Sequence, residues 1–163
     1  WPDANSTLRL SYGKVEGSAP RDAVSYIHYT TLDGVVEKHV PGDAEFDLPQ
    51  RLIDLNSSKD FGAYGVDGVL PVCFTSSLHT TGGNSGSPVL NPRGELIGLN
   101  FDRSWESTMS DIQFDPAKCR NICVDARYIL FIIDKFAGAR HLVDEMTLVK
   151  REAPHMIALP LHR

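Results

Sequence analysis

Residues 80–105, TTGGNSGSPVLNPRGELIGLNFDRSW, constrain the fold more than any other part of this 163-residue chain. Glycine reaches backbone conformations closed to residues with a Cβ, so GGNSGSP reads as a tight turn that points amide N–H groups inward while it presents a serine. The runs SPVLN and ELIGLNF that follow have strand character and flank Asn91-Pro92-Arg93-Gly94, a four-residue turn sequence. They should pair as a hairpin directly after the serine turn, which commits this half of the chain to antiparallel β-structure.

The remaining segments agree with a mainly β fold. Leu8, Leu10 and Tyr12 alternate ahead of Gly13, and VSYIHYTTL (24–32) is β-branched and aromatic up to Asp33-Gly34, so both are expected as strands. VLPVCFTSS (69–77) and NICV (121–124) are further strand candidates, whereas SAPRD (18–22) and PGDAEF (41–46) have turn chemistry. Leu52, Ile53 and Leu55 after Pro49 predict one short helix. Tyr128, Ile129, Ile132, Ile133 and Phe136 predict a C-terminal helix within 126–146, broken near Gly138 and capped by Asp125. The expected division is 1–124 as a β-barrel carrying the serine, 125–149 as a helical segment packed on it, and 150–163 as a loop-like tail.

A net charge of −5 without any run of Lys or Arg argues against nucleic acid or an anionic membrane as the main partner. An acidic ligand would need a specific local cation. No stretch approaches the roughly 20 apolar residues that span a bilayer, and no leader precedes Trp1, so the sequence reads as a processed or truncated product. Cys73, Cys119 and Cys123 are too few for a disulfide framework; 119 and 123 would lie about 13 Å apart on a regular strand. They are expected as buried, unpaired thiols. No Cys/His set has zinc spacing, and neither a metal nor a cofactor is expected.

A serine hydroxyl is a weak nucleophile unless a general base takes its proton and a third group orients that base. By resemblance to chymotrypsin-fold proteases, Ser85 is the nucleophile, and the N–H groups of Gly83 and Ser85 form the oxyanion hole. Such donors contribute roughly 3 kcal/mol each to transition-state stabilisation. Asn84 stands where many animal trypsin-like enzymes carry the Asp that pairs with a newly freed N-terminus, so that mode of activation is not expected. In this fold His and Asp precede Ser, with the histidine well over a hundred residues upstream, yet only 84 residues precede Ser85. His28, His39 and His79 lack the Ala-x-His context and are assigned structural roles. His141, His155 and His162 follow the serine, in the wrong order. The chain therefore reads as the second barrel of a double-barrel serine protease, without the first.

The runs GGNSGSPVLNPRGELIGLNFDRSW and ICVDARYILFIIDKFAGARHLVDEM, together with WPDANSTLRLSYGKV and YTTLDGVVEKH, resemble the bacterial dipeptidyl-peptidase 7/11 family over most of residues 1–149. In that family a helical domain splits a chymotrypsin-like catalytic domain, and the catalytic His and Asp precede the helical domain, outside this sequence. The resemblance implies that Phe101, Asp102 and Arg103 serve substrate choice. Asp102 would meet the free amino group of a peptide, and Arg103 would occupy the pocket for the side chain before the cut. Members preferring apolar side chains tend to have Gly there, so this chain resembles the type that cuts after Asp or Glu. It also implies a homodimeric full-length enzyme in a bacterial periplasm or envelope, and an isolated chain that is inactive.

Elementary chemistry supports these roles. A guanidinium grips a carboxylate through two parallel hydrogen bonds. A carboxylate pairs with an N-terminal ammonium, and two residues span only about 7 Å, so an anchor this close to the serine would enforce dipeptide release. Neighbours on a regular strand face opposite sides, so Asp102 and Arg103 can share a substrate only if the strand bends or ends there. Trp105 is expected to pack rather than bind. Two other readings stay open: a glutamyl endopeptidase-like protease and a non-catalytic peptide-binding barrel. Peptides with blocked amino ends would separate them.

Overall fold

The computed structural model describes residues 7–149. The tail at 150–163, with His155 and His162, lies outside the described residues. The centre of the structure is a five-stranded antiparallel sheet built from β3 (Tyr29–Thr31), β4 (Pro71–Ser76), β5 (Pro88–Leu90), β6 (Leu96–Arg103) and β7 (Asn121–Asp125). Its order is β3-β4-β7-β6-β5, which places the hairpin strands β5 and β6, following the serine turn, at one side. A separate two-stranded ribbon pairs β1 (Ser18–Arg21) with β2 (Val24–Tyr26).

The hairpin forms as expected: Gly94, at φ +79°, donates its N–H to Asn91 O at 2.9 Å, and Val89 pairs with Gly98. Directly opposed residues of an antiparallel pair share a face. One face of the sheet thus carries Phe74, Ser76, Asn121, Cys123, Asn100 and Val89, all buried. Its apolar half is Phe74, Val89 and Cys123, with Leu78 and Ile97 packed against them. Its polar half, Ser76, Asn121 and Asn100, lies toward the serine turn.

The larger core is built by helices against the other part of the sheet. Leu32, Leu52, Phe61, Tyr64, Leu70, Val72 and Phe131 form it, with Leu55, Tyr128 and Phe136 packed on its edge. Leu32 opens α1 (Leu32–Glu37), and Leu52 is the buried apolar residue of α2 (Gln50–Ser57). Pro49 stands at the N-cap of α2, one position before the expected one. Asp125 caps α3 (Ala126–Phe131) as predicted, its carboxylate accepting from Arg127 N at 2.8 Å. The long C-terminal periodicity does not yield one helix. A π-turn at Ile132–Phe136 follows α3, Gly138 breaks the chain at φ +68°, and α4 (Arg140–Asp144) resumes after it.

Four local expectations are corrected. Leu8, Leu10 and Tyr12 lie in no strand and are at least 88% exposed; the chain first joins the sheet at Val15, which bridges to Ser76. The run 24–32 is two strands in different sheets, and Asp33-Gly34 lies within α1 rather than in a turn. Residues 18–21, expected as a turn, form β1, and the reversal falls at Asp22-Ala23, where Ala23 takes φ +60°. Trp105 does not pack: it is 86% exposed. Cys119 and Cys123 are buried, Cys73 is half-buried, and all three are unpaired. No described helix is long and apolar enough to cross a membrane.

Candidate active site

Ser85 is exposed on a turn between two positive-φ glycines, Gly83 at +94° and Gly86 at +83°. Asn84 closes this turn on itself, donating its N–H to Thr81 O at 3.2 Å while its Oδ1 accepts from Thr81 N at 3.0 Å. The Asn84 side chain thus acts locally. Gly86 N donates to Asn100 O at 2.7 Å, Asn100 N donates to Ser87 O at 2.9 Å, and Ser87 N donates to Asn84 O at 3.1 Å. The turn is thereby stitched onto β6.

These bonds employ the N–H groups of Asn84, Gly86 and Ser87, whereas those of Gly83 and Ser85 have no acceptor among the described residues. Backbone donors held in a turn without an internal partner are available to an oxyanion. The Ser85 hydroxyl donates to Phe101 O at 3.3 Å. A carbonyl oxygen orients that proton but cannot remove it, so this contact is no substitute for a base.

Three of the described histidines have these contacts. His79 Nε2 lies 3.2 Å from Ser110 O and its ring stacks on Phe114 at 4.3 Å. His39 Nδ1 accepts from Leu48 N at 3.1 Å, and His28 meets Tyr29 edge-on. None of these contacts involves Ser85.

A polar relay that the sequence reading did not anticipate supports the turn from below. Asn100 Nδ2 donates to Asn84 O at 3.1 Å, Asn121 Nδ2 donates to Asn100 Oδ1 at 2.9 Å, and Ser76 Oγ donates to Asn121 Oδ1 at 2.5 Å. Asn100 is 5% and Asn121 1% exposed. Buried amides this well partnered are structural devices, because each unpaired one would cost about 1–3 kcal/mol. The only trace in the sequence is a pair of Asn residues inside otherwise apolar strand runs.

β6 is bulged just before Asp102 and ends at Arg103, and the two residues still take opposite faces. Asn100 opposes Cys123 but Asp102 opposes Ile122, so Phe101 is an extra residue in β6. As a result Arg103, opposite Asn121, shares the face of Asn100, and Asp102 takes the other. Asp102 and Phe101 are exposed, and Asp102 Oδ1 accepts from Arg103 N at 2.7 Å. The side chain of Arg103 is held by the 3₁₀ turn Trp105–Asp111. Its Nη1 donates to Ser110 Oγ at 2.9 Å and to Asp111 Oδ1 at 2.6 Å, and its Nη2 to Asp111 Oδ2 at 3.1 Å. This pairing holds the Asp111 carboxyl below the ordinary carboxylate range and keeps Arg103 charged. Arg103 lines a narrow pocket with Leu78, Thr80, Ser107, Ser110 and Phe114. A broader cleft of about 650 Å³ opens beside the turn, lined by Tyr12, His79, Asn84, Ser87 and Asn100 among others. Among the described residues no cluster of His, Cys, Asp and Glu could hold a metal ion.

A serine on a glycine turn, with a cation at the end of the adjoining strand, is an arrangement suited to acyl transfer on peptides. The peptidase S46 family model matches residues 1–148, and the chain belongs to that family. It is 64% identical over 149 residues to an Asp/Glu-specific dipeptidyl-peptidase of Flavobacterium psychrophilum and 66% identical over 151 residues to one of Capnocytophaga gingivalis. It is also 54% identical over 150 residues to a dipeptidyl-peptidase 7 of Phocaeicola vulgatus. These matches cover 91–92% of the chain but only 21% of each relative, so the chain spans about a fifth of their length. The crystal structure of Porphyromonas endodontalis DPP11 in complex with the dipeptide Arg-Glu superposes with a TM-score of 0.85 at 53% identity, covering 88% of this chain and 21% of that one.

Proposed function

We propose that the chain is the serine-bearing part of a dipeptidyl-peptidase that releases dipeptides from the free N-terminus of peptides and prefers Asp or Glu before the cut. One observation carries this reading: the Ser85 turn is bonded through Gly86 and Asn100 to the strand whose bulged end presents Asp102 and Arg103. Ser85 attacks the scissile carbonyl, and the N–H groups of Gly83 and Ser85 receive the oxyanion. Asp102 pairs with the ammonium of the substrate and Arg103 with its acidic side chain, while Phe101 orients the serine hydroxyl through its carbonyl and flanks the dipeptide.

The general base and its orienting carboxylate come from a part of the protein outside these 163 residues, a first barrel with an inserted helical domain. The described five-stranded sheet is then the second barrel of a chymotrypsin-like pair, with 125–149 packed on it. The contacts of His28, His39 and His79 support this, since they run to residues other than Ser85. The isolated chain is inactive on this reading, and the full-length protein is a homodimer of a bacterial periplasm or envelope.

The test compares the 163-residue chain with the full-length protein on X-Asp reporter peptides bearing free or blocked amino ends. Cleavage of the free-amine peptide by the full-length protein alone is expected, abolished by Ser85→Ala with the fold intact. Cleavage of blocked peptides would indicate a glutamyl endopeptidase, and binding without cleavage a peptide-binding barrel. Activity in the isolated chain would mean that one of its own histidines is the base.

A further inference from the structure

An arginine reserved for a substrate carboxylate should not already be neutralised, yet Arg103 is paired with Asp111. The donor inventory resolves this. A guanidinium has five N–H groups in a fixed planar fork. Both Nη1 hydrogens are used, on Ser110 Oγ and Asp111 Oδ1, and one Nη2 hydrogen is used on Asp111 Oδ2. Asp111 thus takes the end of the fork. The Nε–H and the other Nη2–H have no partner among the described residues, and together they form a second, lateral two-donor fork of the kind that binds a carboxylate.

A buried polar atom lies in the lining of the same pocket. Thr80, 7% exposed, lines the pocket of Arg103, and its Oγ1 has no hydrogen-bond partner among the described residues. An unmade hydroxyl bond at a buried position is costly unless a ligand completes it.

We propose that Asp111 is a positioning residue for acidic-substrate recognition: it pins the end of the Arg103 guanidinium so that the lateral fork stays open to the carboxylate of the substrate. This rests on the assignment of Arg103 to the substrate pocket. Asp111 is joined to Arg103 through one short 3₁₀ turn, and Ser110 from the same turn fixes the remaining Nη1 hydrogen, so the planar group has no freedom to rotate away. The two carboxylates occupy different edges of the cation and do not compete for the same hydrogens.

The experiment uses the full-length enzyme with X-Asp, X-Glu and X-Leu reporters at saturating and limiting concentrations. Asp111→Ala is expected to lower kcat/KM about tenfold or more on the acidic reporters, mainly through KM, as misplacement of a binding group does. The X-Leu rate should stay within about twofold. Asp111→Asn, whose amide oxygen still accepts one Nη hydrogen, should recover part of the loss. An unchanged or improved kcat/KM on acidic reporters in Asp111→Ala would overturn the proposal, since Asp111 would then be a bystander or a competitor. An equal loss on X-Leu would also overturn it, by showing a merely structural role. Arg103→Ala run in parallel separates the two levels: acid preference surviving in that variant removes Arg103 from the pocket, and this proposal with it.

Discussion

The side chain of Asn100 supports the main chain of Asn84 from the neighbouring strand, Nδ2 to carbonyl at 3.1 Å, directly beneath the residue that precedes Ser85. Replacing Asn100 with Ala removes a donor to Asn84 and an acceptor for Asn121, both in a water-poor interior. The expected cost is about 1–3 kcal/mol of stability. Turnover of the full-length enzyme should fall further than its substrate binding, because the serine and its flanking N–H groups lose their alignment. Thermal melting together with kcat and KM checks this; unchanged values of all three would show that the relay is dispensable.

Gly98 sits under the ring of Phe74. A Cβ at this position would lie 2.5 Å from Val124 O and 2.7 Å from the Phe74 ring, and a backbone oxygen in a paired strand cannot yield cheaply. Gly98→Ala should therefore destabilise by about 1–3 kcal/mol, as overpacking does. Denaturant unfolding measures it, and a stability within error of the parent would show that the sheet absorbs the methyl group.

Asp125 caps α3 and pairs with Arg127 through both carboxylate oxygens, Nε at 2.9 Å and Nη2 at 2.6 Å. Asp125→Ala removes the cap at the junction of sheet and helix, a loss of about 0.5–2 kcal/mol. Asp125→Asn retains an acceptor for Arg127 N and should recover much of that. Melting temperatures of the pair decide whether the hydrogen bond or the charge matters.

Alkaline pH is expected to weaken the fold. Burial pushes the Tyr64 phenol up to about 12, helped by its hydrogen bond to Asp134, and pushes the Cys123 thiol up to about 11. A raised acid pKa means that the folded state keeps a proton which the unfolded state releases. Their contribution to stability is therefore whole below the ordinary thiol and phenol values and declines as pH climbs from about 9 toward 11 or 12. Urea midpoints should fall across that range, less steeply in Tyr64→Phe. A flat profile would show that neither group is as enclosed as the structure has it.

The serine turn, its hairpin, the Asp125 cap and the central strands were legible because each is local: glycine at turn positions, β-branched runs, a carboxylate ahead of an apolar helix. Leu8, Leu10 and Tyr12 misled because alternation signals a face to be covered without saying what covers it. The run 24–32 hid a break between two sheets because no Gly or Pro marks it, and the helical periodicity of 126–136 does not register a π-turn. The relay of Asn84, Asn100, Asn121 and Ser76 and the pairing of Arg103 with Asp111 are tertiary facts. They join positions up to 45 apart in the sequence, and no spacing rule brings them together.

The extra residue at Phe101 gives the length of one strand a chemical meaning. Counting along β6 decides whether a cation or an anion shares the face of Asn100, since Arg103 stands opposite Asn121 only because Phe101 is additional. Were Phe101 drawn into the ladder instead, it would stand opposite Ile122 and Asp102 opposite Asn121, and the sign of the charge on that face would reverse without altering either residue. The charge at the end of β6 is thus written in the pairing register as much as in the identity of the side chains.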